Sequence, residues 1–130
     1  MDPRFVTKDI HALLDYPVAL ALMGAPFLLG LGESTPAAKW LSVGTGVAAL
    51  ILTIFTNHRL GLIRVLPYWF HVLVDGLVGV TFAIAPIALG FKDLDAWFYW
   101  VNAAAVLTVV ALSKPISTQV TPARTRAAAI

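Results

Sequence analysis

Two histidines in this chain are each followed, four residues later, by an aspartate: His11 with Asp15, and His71 with Asp75. On a helix that spacing is one turn, so both side chains of a pair share a face and can touch. Two imidazoles and two carboxylates have three chemical uses. They can hold protons that exchange near neutral pH, or ligate a divalent cation. They can satisfy one another and fix the register of packed helices. His11 and His71 on facing helices could also ligate haem, although an aspartate one turn from each ligand is not a haem signature.

These four residues stand out because their surroundings are so apolar. The chain has 130 residues, of which 59% are apolar or aromatic and only 12% charged, against roughly 25% charged in soluble domains. Mean hydropathy is +0.84. A small soluble domain needs more polar surface than this. The composition therefore excludes an ordinary soluble enzyme and a disordered tail, and a net charge of +2 gives no case for nucleic acid. With no cysteine, disulfides, iron–sulfur clusters and thiolate zinc sites are excluded as well.

The elements that must position the pairs are membrane helices. A helix needs about 20 residues to cross a hydrocarbon core of roughly 30 Å. Four apolar stretches qualify: residues 9–32, 38–57, 67–91 and 95–113. This divides the chain into an N-terminal segment (1–8), a first hairpin (9–57), a loop (58–66), a second hairpin (67–113) and a tail (114–130). The first stretch reads as a permanent span rather than a signal peptide, since Asp2 and Asp9 interrupt what would be a basic leader. Arg4, Lys8, Arg59, Arg64, Lys114, Arg124 and Arg126 fall on one side, and only Lys39 and Lys92 on the other. By the positive-inside rule both termini and the middle loop are expected in the cytoplasm. Tyr16, Tyr68 and Trp69 near one interface, and Trp40, Trp97, Tyr99 and Trp100 near the other, are expected to form aromatic belts.

Sliding the sequence by 60 residues aligns it with itself without gaps. His11 falls on His71, Asp15 on Asp75, Pro26 on Pro86, Gly30 on Gly90 and Trp40 on Trp100. His, Asp, Pro and Trp are scarce enough here for the coincidence to mean duplication. Each unit is a two-helix hairpin, so both copies enter the membrane in one orientation, related by a pseudo-two-fold along the membrane normal. On a helical wheel His11, Asp15, Val18, Ala25, Pro26, Leu29 and Gly30 form one stripe, as expected if the first and third helices meet along it. Ser42, Gly44, Gly46 and Ala48, with Ala103 to Ala105, are small residues suited to close helix approach.

The segments Ala25-Pro26-Phe27-Leu28-Leu29-Gly30 and Ala85-Pro86-Ile87-Ala88-Leu89-Gly90, followed by Trp40 and by Trp100-Val101-Asn102, resemble the bacterial SPW-repeat membrane proteins over most of residues 9–113. That family carries Ser-Pro-Trp in a two-helix unit, then a glycine and a downstream tryptophan. This chain has Ala for Ser, and Phe or Ile for Trp, in both copies. The resemblance implies architecture and a bacterial inner membrane, and little chemistry.

Asp75 is the harder of the two aspartates to explain blandly. With Pro67 as first helical residue it lies about 12 Å into the helix, beyond the reach of the N-terminal dipole. A charge at the bilayer centre costs up to roughly 3 kcal/mol, less towards the edge, so a partner or a polar cavity is required. Pro26 and Pro86 are expected to kink the first and third helices and to free the carbonyls of Leu22 and Phe82, with Pro17 a further bend. Asn102 is expected to bond across to another helix. His58 reads as a solvated loop residue, and the tail as partly disordered. There is no phosphate-binding glycine loop, nucleophile elbow, His-Glu-x-x-His or catalytic triad. The expectation is an all-α, four-helix, non-enzymatic membrane protein with membrane lipid around it. Its His–Asp pairs would form a cytoplasm-facing site for a proton or cation, or serve packing alone. Four short helices leave little volume for a private path, so a homo-oligomer or a membrane-protein partner is expected.

Overall fold

The computed structural model describes residues 4–57 and 61–113. Their secondary structure is four helices: α1 (Lys8–Leu28), α2 (Pro36–Phe55), α3 (Tyr68–Leu89) and α4 (Asp93–Leu112). All four are long and apolar enough to cross a membrane. His58 and the tail from residue 114 lie outside the described residues.

The helix ends are set locally. The Thr7 hydroxyl caps α1 by accepting from the Ile10 N–H, 3.2 Å away. Gly90 ends α3 in a left-handed conformation, φ 71°, and the next residue, Phe91, returns its N–H to Pro86 O at 2.9 Å. Gly30, φ 67°, and the Leu31 N–H on Pro26 O at 2.9 Å repeat this arrangement after α1. Leu31 and Phe91 then turn inward and are buried. The paired Pro-x3-Gly segments are thus helix stops. They end α1 and α3 a few residues before the sequence reading did, and they place Pro26 and Pro86 in the last turn rather than deep inside. α1 runs unbroken through Pro17. The Leu22 carbonyl that Pro26 frees accepts the Ser42 hydroxyl at 2.8 Å.

The gapless offset of 60 holds only for the first helix of each unit. α2 and α4 are both 20 residues long but begin at Pro36 and Asp93, an offset of 57, because seven residues join α1 to α2 and only three join α3 to α4, while α3 is one residue longer than α1. Burial follows the shorter offset: Ala38, Ser42 and Gly46 are buried on α2, and Asp95, Tyr99 and Ala103 on α4. The structural counterpart of Trp40 is therefore Trp97, not Trp100. Trp40 and Trp97 are 58% and 62% exposed, as interfacial indoles should be. Tyr99 is no belt residue. It is fully buried against Phe82 and Phe91, with its hydroxyl donating to Ala38 O at 2.8 Å.

Each hairpin packs closely within itself, α1 on α2 and α3 on α4. A Cβ on Gly46 would lie 2.8 Å from Ala19 O, and one on Gly79 2.6 Å from the Leu107 side chain. These two glycines set the closest helix approaches, whereas a Cβ on Gly44 would meet nothing. α1 and α3 do not pack backbone to backbone along the shared stripe, and Leu29 of that stripe is half exposed. The halves meet through side chains instead. Leu22, Ala38, Phe82, Ala85 and Tyr99 form the core of the bundle away from the His–Asp pairs. There Asp95 of α4 also accepts the Gly32 and Ser34 N–H groups of the α1–α2 connection at 2.9 and 3.0 Å.

Candidate functional site

The N-terminal ends of α1 and α3 bring His11, Asp15, His71 and Asp75 into one cluster. One ligand-capable atom from each lies within 4.8 Å of the other three. Both imidazoles are 1% exposed, and their ring centroids are 5.4 Å apart at 81°. The aspartates are more open, at 16% and 17%.

The pairing is crossed between repeats. His11 Nε2 is 2.6 Å from Asp75 Oδ2 but 3.4 Å from Asp15 Oδ1 of its own helix. His71 Nε2 is 2.9 Å from Asp15 Oδ2 and 3.3 Å from Asp75 Oδ2. The i,i+4 contacts read from the sequence are present but are the longer ones in each case.

The other ring nitrogens are held by hydroxyls that spacing gave no reason to single out. His71 Nδ1 lies 2.7 Å from Thr56 Oγ1, and His11 Nδ1 lies 2.9 Å from Ser113 Oγ. Each hydroxyl already donates its proton into its own helix, Thr56 to Leu52 O at 2.6 Å and Ser113 to Val109 O at 2.7 Å. Both must therefore accept from the histidines, which fixes the proton of each ring on Nδ1. Thr56 and Ser113 stand immediately after α2 and α4, and differ by 57 rather than 60. A search for matches at 60 passes over them. Tyr68 closes the same end, buried, with its hydroxyl 3.2 Å from His11 Nδ1. Val6 pairs with Ser113, and Leu66 with Thr56, as short parallel bridges that tie each leader segment onto a helix end.

With Nδ1–H committed, each Nε2 faces carboxylate oxygen. Two bare acceptors do not sit 2.6 Å apart, so a proton lies between His11 Nε2 and Asp75 Oδ2, whereas His71 Nε2 meets Asp15 Oδ2 at 2.9 Å outside hydrogen-bond geometry. With a proton on both Nε2 atoms the cluster would carry two imidazolium–carboxylate pairs and no net charge. That is the arrangement a low-dielectric setting tolerates.

The family model of the SPW repeat domain matches residues 9–114. The chain belongs to the SPW repeat family. No curated protein and no solved structure matches it. In this SPW repeat protein the Pro and Gly of each unit end the first helix, and the His–Asp quartet forms where the two units' first helices begin.

The quartet does not suit haem, because Asp75 Oδ2 occupies the space between the two Nε2 atoms, at 2.6 and 3.3 Å from them. It does suit a small cation. Tetrahedral bonds of about 2.0–2.1 Å from two imidazole nitrogens and two carboxylate oxygens need ligand atoms roughly 3.3 Å apart, within the spread seen here. Asn102 is not part of the quartet. Its amide donates to Phe98 O of its own helix at 2.8 Å rather than across to another.

Proposed function

We propose that this protein is a small non-enzymatic integral membrane protein of the bacterial cytoplasmic membrane whose quartet holds either two protons or one divalent cation. Both termini and the quartet lie on the cytoplasmic side in this reading, supported by the excess of Lys and Arg at that end. The observation that carries it is the direction of the four side chains. Hydroxyls occupy both Nδ1 atoms, so both Nε2 atoms and both carboxylates face one point. Replacing the two Nε2 protons with one divalent cation leaves the net charge at zero, so the exchange incurs no penalty of unbalanced charge. Two imidazoles with two carboxylates favour zinc or another late first-row ion over magnesium or calcium.

Zinc titration of the detergent-purified protein, with proton release followed at the same time, tests the proposal. One zinc per chain with release of two protons is expected, and both should vanish in the His11→Ala/His71→Ala double variant. Absence of stoichiometric zinc together with an unchanged proton balance in that variant sinks it.

A structural reading is favoured by one specific observation: the close contacts are crossed, so the quartet also joins hairpins that share little backbone packing. In that case the protein serves assembly, as a homo-oligomer or a subunit beside a membrane partner, and the double variant would lose its native mass in detergent.

A further inference from the structure

The quartet closes one end of a cavity. About 760 Å³ of partly open space begins at Asp15 and Asp75 and reaches Trp40, with walls from all four helices. Its lining pairs the two halves, Val18 with Val78 at the 60-residue offset and Ala48 with Ala105 at 57. The space therefore lies on the pseudo-two-fold axis, between two hairpins that each pack closely within themselves.

Length and lining say what can occupy it. From Thr53 to Trp40 the cavity follows α2 for roughly 20 Å, at 1.5 Å per residue. A spanning helix needs roughly 30 Å, so no helix of a second copy or a partner passes through a space stopped by the quartet. One leaflet of hydrocarbon is about 15 Å deep, so the tail of a single lipid does fit. The walls are mostly apolar, and the volume is that of a small-molecule site.

The polar end selects the head. Asp15 and Asp75 are 16% and 17% exposed, and Asp15 Oδ2 accepts no hydrogen bond from the chain. His11 belongs to the same wall, bonded to Asp75, so the lining favours neither a cationic nor an anionic head. An uncharged head brings no unbalanced charge into an apolar space. An ester or ketone would find no free ring donor, because both Nδ1–H groups are given to Thr56 and Ser113. A hydroxyl both donates and accepts, so it bonds a carboxyl group in either protonation state.

We propose that this cavity binds one uncharged, hydroxyl-headed lipid, with its hydroxyl on Asp15 and its tail along Val18, Val78, Ala48 and Ala105 toward Trp40. Such binding needs no exchange of protons or metal at the quartet.

A hexadecanol carrying a diazirine in its tail is the probe. It is photolysed with the protein in phosphatidylcholine nanodiscs, whose lipid has no hydroxyl, and adducts are located by peptide mass spectrometry. One adduct per chain on the cavity walls is expected. Unlabelled hexadecanol should suppress it at concentrations at least tenfold below those of methyl palmitate, palmitate or hexadecyltrimethylammonium. Gly44→Leu and Ala105→Leu fill the space, since a Cβ on Gly44 would meet no atom within 4 Å, and each should cut labelling at least tenfold while cooperative melting persists. Asp15→Leu/Asp75→Leu should erase the preference for the alcohol over the ester. Equal competition by the ester or by either charged compound overturns the inference. So does undiminished labelling in the two filled variants, or no saturable labelling of the unsubstituted protein.

Discussion

His11 Nε2 lies 2.6 Å from Asp75, on the other half of the chain, and 3.4 Å from Asp15, one turn along its own helix. The aspartate that sequence spacing assigns to His11 is thus not its principal partner. Because His71 repeats the crossing toward Asp15 at 2.9 Å, the four residues form a ring through both repeats rather than two separate pairs.

Crossing predicts unequal couplings. In a double-mutant cycle on thermal stability in detergent, His11→Ala with Asp75→Asn should show about 1–2 kcal/mol of coupling, near the upper end for polar contacts inside membranes. His11→Ala with Asp15→Asn should show less than half of that. Equal couplings would mean that the helix-local pairing dominates.

The way each ring is held predicts a pH dependence for metal. If each zinc displaces two protons, as proposed, apparent zinc affinity should rise by up to about 100-fold per pH unit while both Nε2 atoms are protonated. The slope of log affinity against pH should flatten once they are not. A slope near zero throughout would show that zinc binds elsewhere.

Thr56 and Ser113 are positioning residues in this scheme. Thr56→Val removes the acceptor of His71 Nδ1–H while keeping the shape, and Ser113→Ala does the same for His11. Either change frees the ring to carry its proton on Nε2, and should weaken zinc binding about 10- to 100-fold. Ser113→Thr, which keeps the hydroxyl, should restore it. A merely structural hydroxyl would alter melting temperature without moving zinc affinity.

Gly90 and Gly44 predict opposite backbone outcomes. Gly90 sits at φ 71° with open space around it, so Gly90→Ala is strained by conformation alone and should cost roughly 1–2 kcal/mol. Gly44 lies in regular helix with equal space, so Gly44→Ala should stabilise by up to about 1 kcal/mol. Thermal melts in one detergent check both.

Much of this architecture was legible in the sequence because membrane helices advertise themselves by length and apolarity, and because scarce residues expose a repeat. The His–Asp positions were legible for the same reason. What was hidden lies in the connections. A connection four residues shorter, after an α3 one residue longer than α1, moves α4 by three residues against the 60-residue frame, which leads Trp100 to be paired wrongly with Trp40 and conceals the match of Thr56 with Ser113. Tyr99 reads as a belt residue by its position along the span, but its face of α4 points at Phe82 and Phe91. Periodicity gives a face, and only packing says which neighbour that face meets.

The hydroxyl partners are crossed as well: His11 of the first half rests on Ser113 of the second, and His71 of the second on Thr56 of the first. Neither hairpin alone therefore owns a finished site. A single unit, before any doubling of the gene, could have formed the quartet only as two identical chains side by side in the same orientation. Joining those chains end to end turns a meeting that depends on concentration into one the covalent backbone guarantees. Once joined, the two copies are free to diverge, as their unequal connections show they have.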